Sequence, residues 1–209
     1  MKPKLIIFDF SGTLAHFKKS DQKEFFSGMA KLGIEIKTEE EVKSFNNLFW
    51  QLMSQAEDLK DFSGKILNYF SIKKDEKIIK KAADFFQEFI SFDLFEDAKE
   101  IIDLPVKKAI LSSASDFLIR QALPREFEIF GSKKNKFHKP DPRAFLTVLE
   151  ILEVNPEDAV MVGDEAERDL VPAQKLGMKT VFIDRNNEIK NYSGIKISSL
   201  KEIKNIFDF

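Results

Sequence analysis

Residues 4–14 read Lys4-Leu5-Ile6-Ile7-Phe8-Asp9-Phe10-Ser11-Gly12-Thr13-Leu14, an apolar run that ends on an acid and passes into a glycine-containing turn. The run is bounded and does not alternate, which predicts a strand buried on both faces. Asp9 then stands at the strand's carboxyl end, where open α/β sheets hold their ligands. An aspartate there also serves simply to begin a turn.

Downstream of Thr13 the period changes from strand to helix. A first helix is expected over Asp21–Leu32, carrying Phe25, Met29 and Leu32. Thr38 followed by Glu41 is a capping-box signature. The helix it opens places Val42, Phe45, Phe49, Leu52, Met53 and Ala56 on one face. Phe62-Ser63-Gly64 reads as a break, with a short helix after it to Phe70. Asp75 is an expected N-cap for a helix bearing Ile78, Ile79, Ala82, Phe85, Phe86 and Phe89. These stripes describe the core of a small helical bundle, in which Phe49 and Trp50 are alternatively pocket-lining.

From residue 96 helices and strands alternate. Helices are expected over Glu96–Leu104, Asp116–Leu123 (ended by Pro124), Arg143–Glu153, Glu167–Leu176 (stopped by Gly177) and Leu200–Phe207. Strands are expected over Val106–Leu111, Glu126–Phe130, Ala159–Val162, Lys179–Ile183 and, at an edge, Ile195–Ile197. This order predicts an α/β fold with a mostly parallel sheet covered on both faces. Residues 1–15 and 96–209 would form the core, and residues 16–95 an inserted helical domain.

Composition narrows the chemistry. Acids and bases nearly cancel among 209 residues, leaving a formal charge of -2, so nothing argues for a nucleic-acid or acidic-membrane partner. The absence of cysteine excludes disulfides and thiolate metal sites, and two histidines make a poor zinc site. Any metal would be held by carboxylate oxygens, which suits magnesium. No run approaches transmembrane length and the start lacks a signal-peptide apolar segment, so a cytoplasmic protein is expected. Oligomeric state stays open, because the insert's phenylalanines suit a dimer interface as well as a pocket.

Four expected strand ends each bring a different polar group. Asp9 follows the first, Ser112 the second, Lys139 lies in the loop after the third, and Asp164 and Asp169 follow the fourth. Carboxylates, a hydroxyl and an ammonium gathered on one rim fit phosphoryl transfer to a carboxylate. Asp9 would attack phosphorus, a magnesium ion would screen the two anions, Ser112 would bind a phosphoryl oxygen and Lys139 would neutralise developing charge. Ser113 and Ser115 are the nearest alternatives to Ser112, and Ser115 suits a helix cap equally well.

Together these stretches resemble the motifs of the haloacid dehalogenase superfamily of hydrolases. They are Asp9-Phe10-Ser11-Gly12-Thr13-Leu14, Ile110-Leu111-Ser112, Lys139-Pro140-Asp141-Pro142, and Val162-Gly163-Asp164-Glu165-Ala166-Glu167-Arg168-Asp169. The resemblance covers almost the whole chain, and the insert is similar to that superfamily's helical cap. It implies a Rossmann-like core, a cap over the active site and a magnesium-dependent phosphatase acting on a small phosphorylated molecule. Asp9 would be nucleophile and metal ligand, Asp164 the second carboxylate ligand, and the Ser11 backbone carbonyl the remaining one. Asp169 would reach the metal through water or orient Lys139, while Gly12 and Thr13 would shape the turn.

One position departs from the pattern. Phosphatases of this superfamily usually carry an acid/base aspartate two residues after the nucleophile, and here that residue is Ser11. A hydroxyl of very high pKa transfers protons poorly at neutral pH, and losing such a group costs about 10²–10⁴ in rate, or ~3–5 kcal/mol. The expectation is therefore a phosphatase favouring good leaving groups, one with another proton relay (His16 and His138 are weak candidates), or a weakened protein that binds a phosphorylated ligand or a protein partner. Phosphonatase and dehalogenase branches also lack aspartate there. Dehalogenases work without metal, however, whereas this fourth motif is rich in acids; a phosphonatase would need a Schiff-base lysine in its cap, and the insert has too many lysines for the sequence to decide.

Overall fold

The computed structural model describes residues 2–18, 21–73, 75–123 and 126–209. The chain divides into two compact units, one formed by residues up to His16 together with Asp93–Phe209, the other by Phe17–Phe92.

The first unit is built on a six-stranded sheet. Its strands are β1 (Leu5–Phe8), β4 (Lys107–Leu111), β5 (Glu128–Phe130), β6 (Ala159–Gly163), β7 (Lys179–Ile183) and β8 (Ile195–Ile197), with β2 (Ala15–Phe17) and β3 (Phe92–Leu94) forming a separate pair. The order is β5-β4-β1-β6-β7-β8, and every pairing in this sheet is parallel. All of β1 and β6 is buried, as expected of strands covered on both faces. Leu5, Ile7, Met161, Phe145 and Val148 belong to one apolar cluster against the sheet. Phe8 lies opposite both Ile110 and Val162 in register. From β1 the chain builds outward on one side through β4 and β5, then returns to build the other side through β6, β7 and β8. Asp9 and Asp164 therefore flank the point where the winding reverses, the crevice in which such sheets bind ligands.

Among its described residues the second unit holds four helices: α1 (Gln22–Lys31), α2 (Glu39–Ser54), α3 (Leu59–Tyr69) and α4 (Glu76–Phe89). Asp21, Thr38 and Asp75 cap α1, α2 and α4, and the capping box of Thr38 and Glu41 is closed in both directions. Phe62, Phe49 and Phe86 meet edge to face, with ring centroids 4.9 Å apart for Phe62–Phe86 and 5.0 Å for Phe49–Phe62. A cavity of about 150 Å³ within this unit is lined by Phe25, Phe45, Phe49 and Trp50 beside the amides of Gln22 and Asn46.

Several boundaries differ from expectation. Phe62-Ser63-Gly64 is not a break but the interior of α3, which Asp58 caps by accepting the Asp61 N–H. Fully buried Phe62, Ile66 and Leu67 outweigh the ~1 kcal/mol that one helical glycine costs. The helix expected over Glu96–Leu104 is a 3₁₀ segment over Glu96–Ile101. Glu167–Leu176 is a π-helical turn over Ala166–Leu170 followed by α7 (Val171–Lys175), and Gly177 ends it at φ +90°. The last helix is a 3₁₀ turn, Leu200–Glu202, running into α8 (Ile203–Ile206). The remaining helices are α5 (Asp116–Ala122) and α6 (Pro142–Ile151), and the proposed stop at Pro124 lies outside the described residues.

Phe86→Ala removes a fully buried ring from the aromatic cluster, so it is expected to cost about 3–5 kcal/mol. Urea unfolding followed by the fluorescence of Trp50, the chain's one tryptophan, reads this directly, and a loss below about 1 kcal/mol would contradict the packing.

Candidate active site

Because the sheet is parallel, the carboxyl ends of all its strands lie along one edge, and the polar residues just beyond them collect there. Asp9 leaves β1 with its own N–H donated to the Val162 carbonyl, 2.8 Å, which extends the ladder one step past the strand. Lys139 comes in from the loop after β5, and its Nζ donates to Asp9 Oδ1 and to Asp169 Oδ1, each at 2.5 Å. Asp164 follows β6 and accepts the Thr13 hydroxyl at 3.1 Å. One carboxylate oxygen from each of Asp9, Asp164 and Asp169 lies within 4.8 Å of the others.

Two glycines make this density possible. A Cβ at Gly12, where φ is +89°, would collide with the Asp164 carboxylate, and one at Gly163 would collide with that of Asp169. The turn after β1 closes locally as well, with the Leu14 and Ala15 N–H groups donating to the Phe10 carbonyl.

Burial sets the electrostatics. Desolvation pushes Asp9, Asp164 and Asp169 above the ordinary carboxylate range, Asp169 to about 6. Lys139 pulls Asp9 and Asp169 back down, while neighbouring carboxylates push each acid up further. For Lys139 burial opposes the charged form, but the two carboxylates prevail and raise its pKa. Lys139 thus pairs with two of the three acids, leaving a pocket of excess negative charge lined by oxygen donors, the composition that hard divalent cations favour.

The other expected site residues fall on the same edge with less direct engagement. Ser112, one residue past β4 and 6% exposed, accepts the Ala114 N–H through its hydroxyl at 3.1 Å. Ser113 is exposed and accepts a hydrogen bond from Arg168 Nη2, 3.1 Å. Ser115 occupies the cap position of α5 but its buried hydroxyl makes no capping bond. Ser11 is exposed and its backbone bridges to Ala15. The exposed His16 ring packs on Phe95 with centroids 5.1 Å apart, and His138 is exposed beside Lys139.

Sequence reasoning missed Arg185. It lies two residues past β7, so the strand-end rule that singled out Asp9 would have found it. Its guanidinium donates to the Gly12 carbonyl at 3.2 Å and the Thr13 carbonyl at 2.5 Å. It forms a bidentate pair with Asp97 at 3.0 and 3.1 Å, and lies 3.7 Å from the Phe95 ring centre. Asp97 also accepts from the Ser199 hydroxyl and the Leu200 N–H. A cleft of about 520 Å³, lined by Gly12, Asp164, Asp184, Arg185 and Tyr192, opens beside this group.

The model of the haloacid dehalogenase-like hydrolase family matches residues 6–183, spanning all four of these strand ends. The chain belongs to that family. This haloacid dehalogenase-like hydrolase is 27% identical over 196 residues to a candidate pyrophosphatase of Caldanaerobacter subterraneus, covering 88% of this chain and 82% of that protein. It is 33% identical over 76 residues to the glyceraldehyde 3-phosphate phosphatase of Pyrococcus furiosus, a match spanning 34% of this chain and 32% of that one. Among solved structures, the 2-haloacid dehalogenase of Pseudomonas syringae pv. Tomato superposes with a TM-score of 0.70 at 18% identity, covering 98% of this chain and 97% of the other. The haloacid dehalogenase-type phosphatase of Thermococcus onnurineus gives 0.59 at 22%, covering 99% and 97%. At these identities the structural likeness speaks for the fold. Among the described residues of this hydrolase, no helix is long and apolar enough to cross a membrane.

Arg185→Met is expected to destabilise the hydrolase by about 3–5 kcal/mol, because it strands the Asp97 carboxylate. Burial raises the Asp97 pKa, but hydrogen bonds from Arg185, Ser199 and Leu200 outweigh it and hold it below the ordinary value. A depressed carboxyl stabilises the fold above its unfolded pKa of about 3.9 and loses that contribution as pH falls through the folded pKa. The melting-temperature difference between wild type and Asp97→Asn should therefore be constant above about pH 5 and shrink only below about pH 4. A difference that instead varied between neutral pH and 5 would contradict this account.

Proposed function

We propose that this hydrolase is a magnesium-dependent phosphatase of small phosphorylated molecules, with Asp9 as nucleophile and the helical unit as the cap that selects the substrate. The observation that carries the reading is the gathering of Asp9, Asp164 and Asp169, the first and last buried and Asp164 half-buried, beside the Lys139 ammonium that binds Asp9 and Asp169. Three acids raised by burial, with all-oxygen donors and a surplus of negative charge, fit a hard cation. Asp9, Asp164 and the Ser11 carbonyl would hold magnesium, with Asp169 acting through water or by orienting Lys139. When bound, the ion supplies charge screening between the attacking carboxylate and the phosphoryl oxygens.

The steps belong to the chain's own residues. An Asp9 carboxylate oxygen attacks phosphorus, and the bond from phosphorus to the leaving oxygen breaks, giving an aspartyl phosphate. Lys139 neutralises charge on the phosphoryl group, and the Ser112 hydroxyl donates to one of its oxygens. The leaving oxygen must take up a proton. Water then attacks phosphorus, releases inorganic phosphate and restores the Asp9 carboxylate. Ser11 stands where a carboxyl would mediate both proton transfers, so departure of a poor leaving group is the slow event. The relatives' names, which include pyrophosphatase, phosphoserine phosphatase and phosphoglycolate phosphatase, agree with a small phosphorylated substrate. Ser11 also motivates a second reading, a protein on this fold that binds a phosphorylated ligand with little turnover.

An aryl phosphate with a good leaving group should be hydrolysed in the presence of magnesium, and Asp9→Asn should abolish that rate. Equal rates in the two proteins would reject the nucleophile and favour the binding reading, while halide release from a 2-haloacid without magnesium would favour carbon–halogen chemistry. Ser11→Asp should raise turnover of alkyl phosphates by about 10²-fold or more. An unchanged rate would mean that proton transfer does not limit.

A further inference from the structure

Arg168 has no part in the scheme above, yet it links two of the loops that carry the proposed site residues. It leaves from the segment after β6, and its Nη2 donates to Ser113, which follows β4. In the sheet β1 lies between β4 and β6, and adjacent strands stand about 4.8 Å apart. The Arg168 side chain therefore joins the two loops that flank β1 in the strand order, with its own neighbour Asp169 bonded to Lys139 at one end and Ser113 next to Ser112 at the other. The segment carrying it is the π-helical turn over Ala166–Leu170, a geometry often found at functional positions. Along that turn, Asp169 points inward at 1% exposure while the Arg168 side chain is 44% exposed.

The charge inventory gives this exposure a meaning. The Lys139 ammonium is 4% exposed and committed to two carboxylates, so it cannot also serve an anion on the far part of a substrate. Arg185 is committed to Asp97 and to the nucleophile loop. Among the described residues, Arg168 is held by Ser113 and by long contacts of 3.3 and 3.4 Å to the exposed Glu165 carboxylate. An exposed pair at that separation contributes little and exchanges readily. The planar fork of a guanidinium matches a carboxylate or phosphoryl group in two parallel hydrogen bonds.

We propose that Arg168 determines specificity by receiving a second anionic group, a carboxylate or a second phosphoryl, on the part of the substrate that is not transferred. Substrates would then be phosphate esters or anhydrides carrying a further negative charge, in preference to esters of neutral alcohols. This inference rests on the phosphatase reading.

The test compares two esters matched in size, ethyl phosphate and 2-phosphoglycolate, as competitive inhibitors or alternative substrates against aryl-phosphate hydrolysis by the magnesium-loaded enzyme. Wild type should prefer the carboxylated ester by at least about tenfold, the scale of a hydrogen bond to a charged group. Arg168→Gln should bring that preference ratio near one, and Arg168→Lys should restore part of it. A wild-type ratio near one, or a variant that weakens both esters equally, would overturn the assignment and leave Arg168 as a latch between loops. Absence of aryl-phosphate hydrolysis in wild type would instead remove the phosphatase reading, and the assignment with it.

Discussion

One buried ammonium holds the site together. Lys139 reaches the edge of the sheet from a loop and is shared between Asp9 and Asp169, both almost fully enclosed. Three carboxylates drawn this close would repel one another and take up protons in a medium of low polarity. The lysine offsets part of that repulsion, and the all-parallel sheet supplies the geometry by ending every strand on the same side. Much of the surrounding structure serves that convergence: glycines where side chains would collide with carboxylates, and Thr13 donating to Asp164.

The second support is less visible. Arg185 binds the Gly12 and Thr13 carbonyls of the turn after Asp9 and, through Asp97, ties in Ser199 and Leu200 from the C-terminal segment. The turn is thus gripped from outside its own hydrogen bonds. A site that places charges to within fractions of an ångström needs such backing, because loops left to themselves do not hold catalytic geometry.

Binding and chemistry divide unevenly over these residues. Under the proposed phosphatase reading, Asp9, Lys139, Asp164 and Asp169 are the groups that would hold a cation and a phosphoryl group, whereas position 11 carries a hydroxyl where proton transfer would call for a carboxyl. On that reading, affinity for a phosphorylated ligand and speed of turnover would be separable, the first resting on the acid and lysine cluster and the second on what Ser11 can do.

The sequence by itself determined the strands and the polar residues that end them. A fully buried parallel strand such as β1 reads as an uninterrupted apolar run, and Asp9, Lys139, Asp164 and Asp169 each lie in or just beyond the loop their strand leads to. Two caps were equally legible, because Thr38 and Asp75 act within three residues of themselves. Local signals failed where packing overrode them, as when α3 ran through Gly64 on the strength of buried Phe62 and Ile66. They were silent on the π-helical turn of Ala166–Leu170 and on the reach of Arg168 to Ser113, 55 residues away in sequence. Only the tertiary structure decided that Lys139 divides itself between two carboxylates and that Arg185 closes on Gly12 and Asp97. Those contacts join residues 30 to 173 positions apart, and no periodicity in a single chain encodes which distant partner a charged side chain will meet.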